Sequence, residues 1–358
     1  MSNIKRHWWK ALATVLILYS LIVGMTAPLR PGIVTDKTSL SITVGQTNSL
    51  SVNFYNARFL NEAEGTINAR LRLNQDTAIC ASAVKVLDNR NLEVQFAKIS
   101  DINPKNLKAP YPLLEFGSPV NGYTVSSVYI RTDTNKINDS IHIQNKFCTA
   151  SELPVMHGVN FPFLNILEET IRNLFYHVPM WFGMMLILVI SMVFSTLQLR
   201  NPDNMNNDLG AKAFAGVGVL YGILGIVTGA IWAKHTWGAY WTWDIKQNTS
   251  AIALLIYMAY FVLRSSFDDA DKRARISAAY NIFAFATLIP LLYIIPRMKD
   301  SLHPGAEGNP AFSSYDLDNT LRLVFYPSVL GWILLGIWIA QLWMRIDRIW
   351  QKKMEEME

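Results

Sequence analysis

Six stretches of this chain are apolar for about 20 residues at a time, the length a helix needs to cross the hydrocarbon of a bilayer. They fall at roughly 9–29, 178–199, 212–233, 248–264, 277–296 and 323–344. Lipid offers no partner to a backbone N–H or C=O, so such stretches must satisfy their own as helices. With 51% hydrophobic residues in 358 and a mean hydropathy of +0.18, the expected fold is an α-helical polytopic membrane protein with six transmembrane helices.

The distribution of Lys and Arg sets the expected orientation. With the N-terminus inside, the inner segments carry Lys5, Arg6, Lys10, Arg200, Lys212, Arg264, Lys272, Arg273, Arg275, Arg345, Arg348, Lys352 and Lys353, whereas the short outer loops carry Lys234, Lys246, Arg297, Lys299 and Arg322. Both termini are therefore expected in the cytoplasm. The first stretch runs through Met25 without a clear small-residue cleavage site, so it reads as a retained span rather than a signal peptide. The net charge of +5 fits inner-face positive loops, and no soluble segment has a basic stripe with interleaved aromatics, which excludes nucleic acid as a partner.

Between the first two spans lie about 145 residues of different character, with alternating β-favouring and polar residues broken by turn signals. Strands are expected at 40–44, 50–54, 67–73, 92–96 and 125–130, with turns at Gly45-Gln46, Asn89-Arg90 and Asn121-Gly122. Their spacing suggests an all-β, immunoglobulin-like sandwich on the periplasmic side, inserted between helices 1 and 2. The segment 101–120, with Pro104, Pro110, Pro112 and Pro119, reads as a surface loop. Both cysteines, Cys80 and Cys148, lie in this region, where an oxidising compartment would permit a disulfide. An amphipathic helix is expected at 167–175. The division is thus residues 1–30 as the first span, 31–160 as the β-domain, 161–344 as a five-helix membrane domain, and 345–358 as a cytoplasmic tail.

The chemistry gathers on the outer side. Trp237-Gly238-Ala239-Tyr240-Trp241-Thr242-Trp243-Asp244 packs four aromatic rings and an acid into eight residues between spans three and four. Such a surface suits a flat ligand with an apolar face and a wet rim, a porphyrin for example. His177 begins the second span and His303 lies between spans five and six, so both face the same compartment as this run. Neutral imidazoles on opposite faces of a haem would give a six-coordinate, low-spin iron. Arg172, Lys234, Lys246, Arg297 and Arg322 lie at a depth suited to propionates. Plainer readings stand beside these: an aromatic belt at the interface, a surface role for His177, a turn role for His303 before Pro304-Gly305, and Asp244 either capping the next helix or touching the ligand. The methionines of the second span read as packing residues. No Cys-x-x-Cys-His is present for covalent attachment of haem, and no phosphate-binding Gly-x4-Gly-Lys-[Ser/Thr] loop for ATP.

Trp237-Gly238-x-x-Trp241-x-Trp243-Asp244 resembles the tryptophan-rich signature of the haem-handling proteins of cytochrome c maturation, and the membrane part, about 170–344, is most similar to the CcmC type. Tyr176-His177-Val178-Pro179 and Leu302-His303-Pro304-Gly305 look like the family's two outer histidine motifs. Thr228-Gly229-Ala230-Ile231-Trp232-Ala233-Lys234 resembles its approach to the tryptophan run, and Phe267-Asp268-Asp269 its inner loop. The resemblance implies non-covalent haem b, with His177 and His303 as axial ligands and Trp237, Gly238, Tyr240, Trp241, Trp243 and Asp244 forming the platform. It implies delivery at the outer face of the bacterial inner membrane to a membrane-anchored haem chaperone (CcmE type). It also implies partnership with ATP-binding-cassette subunits (CcmA and CcmB type) and a small CcmD-type subunit, and no enzymatic step. This chain departs from the pattern in Tyr240, where a further Trp is usual, in the large outer domain, and in the additional His235, which reads as unliganded. The alternative is a haem lyase or cytochrome c synthase of the same superfamily. Such relatives have histidines within the spans and an acid-rich continuation where this chain has Ile245-Lys246-Gln247-Asn248.

Overall fold

Each of the six apolar stretches is helical in the computed structural model, which describes residues 2–34, 40–63, 65–74, 78–98, 112–131, 159–303 and 317–357. The helices are α1 (Ser2–Thr26), α2 (His177–Arg200), α3 (Met205–Trp237), α4 (Ile245–Ser265), α5 (Ala270–Ile289) and α6 (Asn319–Glu355). All six are long and apolar enough to cross a membrane. The last four begin before the expected limits because polar caps, rather than the ends of the apolar runs, start them. The side chains of Asn204, Asp244, Asp269 and Asp318 accept from the backbone N–H groups of Asn206, Lys246, Lys272 and Leu321 to open α3, α4, α5 and α6. At its end α5 widens into a single π turn, Pro290–Ile294, and then tightens into a 3-10 turn, Ile295–Arg297.

The amphipathic segment before α2 is a 3-10 helix, Glu168–Phe175, and not the regular helix the spacing suggests. Glu168 enters it with φ +44, outside the right-handed helical region. Ile171 and Phe175 are its buried residues.

Two compact units result, Met1–Thr26 with Glu169–Glu358, and Ala27–Glu168. In the first, α2 packs against α3, α5 and α6, α1 lies along α6, and α4 packs on α5 and α3. Met184, Ile187, Leu188, Val217, Tyr221 and Tyr257 fill the centre. Polar side chains knit the helices where lipid cannot. Tyr221 donates to the Trp332 carbonyl at 2.7 Å, Ser191 donates to the Ala211 carbonyl at 2.7 Å, and the Asn281 amide donates to Ser191 and Ser195 at 2.8 and 2.7 Å. Near the start of α3, the Arg264 guanidinium grips both oxygens of Asp208, with Nη1 2.6 Å from Oδ1.

The second unit is a β-sandwich. One sheet has the order β1 (Gly32–Ile33), β3 (Asn48–Tyr55), β7 (Asn91–Phe96), β6 (Ala83–Val86). The other has the order β5 (Ala78–Cys80), β4 (Asn68–Arg72), β8 (Leu113–Ser118), β9 (Gly122–Ser127). All neighbours within them are antiparallel. A short parallel pair joins β2 (Ser41–Thr43) to β10 (Tyr129–Arg131). Alternation puts Leu50, Val52 and Phe54 of the first sheet in one core with Leu71, Leu114 and Phe116 of the second, where Phe54 meets Phe116 edge to face at 5.0 Å. Strand β8 corrects the reading of 101–120 as a loop throughout. Pro112 and Pro119 flank it, where a missing N–H costs no ladder bond, and Leu114 and Phe116 are core residues. Residues 99–111 lie outside the described residues. Cys80 ends β5, and Cys148 lies outside the described residues.

The Asp208–Arg264 pair is buried, at 4% and 10% side-chain exposure. Removing one partner, as in Arg264→Met, should destabilise the bundle by about 3–5 kcal/mol, because the other charge is left buried alone. Replacing both, Asp208→Leu with Arg264→Met, should recover most of that loss in thermal unfolding of the detergent-solubilised protein.

Candidate functional site

His177 is the first residue of α2, and it faces the last turns of α3. Its Nδ1 lies 3.0 Å from the Gly225 carbonyl and 3.2 Å from Thr228 Oγ1. A carbonyl can only accept, so Nδ1 carries the hydrogen and Nε2 keeps its lone pair. Thr228 spends its own hydroxyl hydrogen on the Leu224 carbonyl, 2.7 Å away, and so acts towards His177 as an acceptor. The imidazole stands edge-on to Trp232 and Trp181, with ring centres 5.8 and 6.3 Å away. Trp232 is itself fixed by donating from Nε1 to Thr170 at 3.1 Å. Gly229 makes the approach possible, since a Cβ there would lie 2.6 Å from His177 Cε1.

Helix α3 ends on Gly238 at φ +84, a left-handed position that a residue without Cβ takes at no steric cost. The tryptophan run that follows is half-open to its surroundings. Trp237 and Trp241 are half-buried, while Tyr240 and Trp243 are exposed. Trp243 holds φ +58, a conformation costing a bulky L-residue about 1–2 kcal/mol. Neighbours keep it there. Its carbonyl accepts from Asn248 at 2.8 Å, and Thr242 N–H donates to Gln247 Oε1 at 2.9 Å.

Of the two readings of Asp244, the structure shows the helix cap, and it adds a contact to the loop that carries His303. Its Oδ1 caps α4 through Lys246 N–H at 2.9 Å and accepts from Ser301 Oγ at 3.1 Å. Oδ2 accepts from Leu302 N–H at 2.8 Å. The third contact from that loop is to His303, whose Nδ1 is 2.9 Å from Oδ1. Burial alone would raise the Asp244 carboxyl, but the bonds from His303, Leu302 and Ser301 outweigh it and hold the group well below the usual carboxylate range. An ionised carboxylate only accepts, so His303 too carries a hydrogen on Nδ1, which leaves Nε2 as the nitrogen for a metal. The ring is set edge-on to Trp237, centre to centre 4.7 Å.

The structure therefore brings His177, His303, Trp237, Gly238, Tyr240, Trp241, Trp243 and Asp244 to one end of the bundle. Among the described residues, each imidazole is hydrogen-bonded through Nδ1 alone. The donor set fits a haem iron: two imidazoles, each hydrogen-bonded through Nδ1 and so able to offer Nε2 to a metal, beside an aromatic surface. Of the cations expected near propionates, Arg172 pairs with Glu169 at 2.7 Å and donates to the Gly24 carbonyl, and Lys234 donates to the Gly238 carbonyl at 2.9 Å. Arg297 is exposed, and the buried Nε of Arg322 has no hydrogen-bond partner among the described residues. His235 is exposed. Thr228, Gly229 and Trp232 sit in a motif already visible in the sequence, but their contact with His177 needs the packing of α2 on α3. Ser301 carries no sequence signal.

Residues 156–358 match the family model described as Heme exporter protein C. Among curated relatives, Heme exporter protein C of Bradyrhizobium diazoefficiens is 31% identical over 139 residues, 38% of this chain and 51% of that protein. The Haemophilus influenzae protein of the same name is 26% identical over 189 residues, 50% of this chain and 72% of that one. The Escherichia coli K12 protein is 25% identical over 174 residues, 49% and 69%. The chain spans about half the length of the first of these relatives.

Two substitutions separate packing from display at this site. Gly229→Ala should force the His177 ring off the Gly225 carbonyl and cost about 1–3 kcal/mol, read as a lower melting temperature. Trp243→Gly should leave the melting temperature equal or higher, because it removes an exposed ring from a strained backbone position.

Proposed function

The chain belongs to the heme exporter protein C family, and on that premise we propose that it holds haem b non-covalently at the outer face of the bacterial inner membrane and presents it to a membrane-anchored haem chaperone (CcmE type). The observation that carries this reading is the pair of imidazoles with Nδ1 committed and Nε2 offered, His177 to the Gly225 carbonyl and His303 to Asp244. Bound haem would supply an iron centre, and His177 and His303 would hold it through Nε2. Trp237, Trp241, Trp243 and Tyr240 cover the macrocycle, adding apolar area and excluding water from the iron. Arg297 and Arg322 meet the propionates. An exposed Tyr240 and Trp243 leave one edge of the site open, which suits a cargo that must leave. This chain attaches haem covalently to no polypeptide, and its role is that of a transport component rather than a catalyst.

Positive residues concentrated on inner segments support an outer site with cytoplasmic termini. CcmA-, CcmB- and CcmD-type subunits are the proposed membrane partners. The strand orders β1-β3-β7-β6 and β5-β4-β8-β9 support an immunoglobulin-like assignment, since they repeat the A-B-E-D and C-F-G orders with one strand added beside C. An oxidising outer compartment supports a Cys80–Cys148 disulfide.

The purified protein should carry a low-spin haem spectrum, and His177→Ala and His303→Ala should each convert it to a five-coordinate form. Unchanged spectra and haem content in both variants would remove the axial assignment. Thiol alkylation should label neither cysteine before reduction and both after it. Labelling of either without reductant would exclude the disulfide.

A further inference from the structure

The two imidazoles are backed by different acceptors. His303 Nδ1–H donates to the carboxylate of Asp244, a residue 8% exposed. That carboxylate is immobilised by Lys246 N–H, Leu302 N–H and Ser301 Oγ. His177 Nδ1–H instead donates to a neutral carbonyl, Gly225, with Thr228 as a second neutral acceptor. A carboxylate behind a metal-ligating histidine pulls on its N–H proton and raises the donor strength of the opposite nitrogen more than a neutral acceptor does.

We propose that His303 is the retaining ligand and His177 the yielding one, so that hand-off begins on the His177 side. This rests on the axial reading given above and adds an order to it. The bond between iron and His177 Nε2 breaks with its electron pair returning to the imidazole, and the vacated position accepts a lone pair from a ligand of the receiving protein. His303 lets go second. Iron keeps its oxidation state in this exchange, and no proton moves, because both Nδ1 hydrogens stay where their acceptors hold them. Asp244 is thus a positioning residue that acts through His303. Mobility alone argues the reverse order, since His177 stands on a helix and His303 on a loop. The bonds from Ser301, Leu302 and His303 to Asp244 offset this by tying that loop to the cap of α4.

The test uses the full-length protein in detergent, loaded with haem, with apomyoglobin as the haem acceptor. Asp244→Asn keeps a capping side chain and hydrogen-bond acceptor but removes the charge. It should raise the midpoint potential, since a weaker donor favours ferric iron less, and should speed haem loss by about tenfold or more. His303→Gly should lose haem at least about tenfold faster than His177→Gly, by the same range of second-shell effects. Added imidazole should restore a low-spin spectrum to each glycine variant, which shows that the fold and the cavity survive. Equal loss rates from the two variants, faster loss from His177→Gly, or an unmoved potential in Asp244→Asn would overturn the order. If the wild type is not low-spin, or neither histidine variant alters its spectrum, the axial reading itself fails, an outcome distinct from a wrong order.

Discussion

One carboxylate ties two loops together at one end of the bundle. Asp244 is nearly buried, and a buried charge is tolerated only when donors surround it. Those donors come from two places far apart in sequence, the start of α4 and the loop after α5. The loop between α3 and α4 and the loop that carries His303 are therefore a single mechanical object. Everything the tryptophan run can present depends on that coupling, because Trp237 packs on the ring whose partner is Asp244.

The helices divide polarity in a way that explains where such a site can be. In their interior the polar groups are hydroxyls and amides, such as Ser191, Ser195 and Asn281, which bind neighbouring helices without carrying charge. Ionised pairs are placed at the ends: Asp208 with Arg264, and Lys212 with Asp347 at 2.8 Å. Among the described residues, His177 and His303 follow the same rule, the one opening α2 and the other in the loop after α5.

What could be read from the sequence, and what could not, follows from the range of each interaction. Lipid imposes long uninterrupted apolar runs, so the six helices were plain, whereas their true starts depend on single capping side chains and moved outward accordingly. The strands β3, β4 and β7 showed their alternation. Strand β8 was hidden by prolines that sit at its two ends, and β5 and β6 are too short to display a period. At the site, His177, His303 and the tryptophan run were legible because their residue types are rare and their motifs resemble a family's. The tautomer of each imidazole was not. It is decided by the Gly225 carbonyl and by Asp244, which reach the histidines only through folding. Asp244 itself had a correct local reading as a cap, and its second role needed a loop 57 residues away, at Ser301.

The π turn at the end of α5 has a consequence for how His303 is aimed. Each residue of a regular helix rotates the outgoing direction of the chain by about 100°, and a π turn accommodates one residue more than an α turn would. The segment Pro290–Ile294 therefore sets the angular phase with which the chain leaves the bundle towards Ser301 and His303. Deleting one residue there would restore a regular helix and swing the exit by that angle, carrying the imidazole away from Asp244 while every side chain of the site remained present. The aim of the His303 imidazole is written in a residue count as much as in any residue's identity.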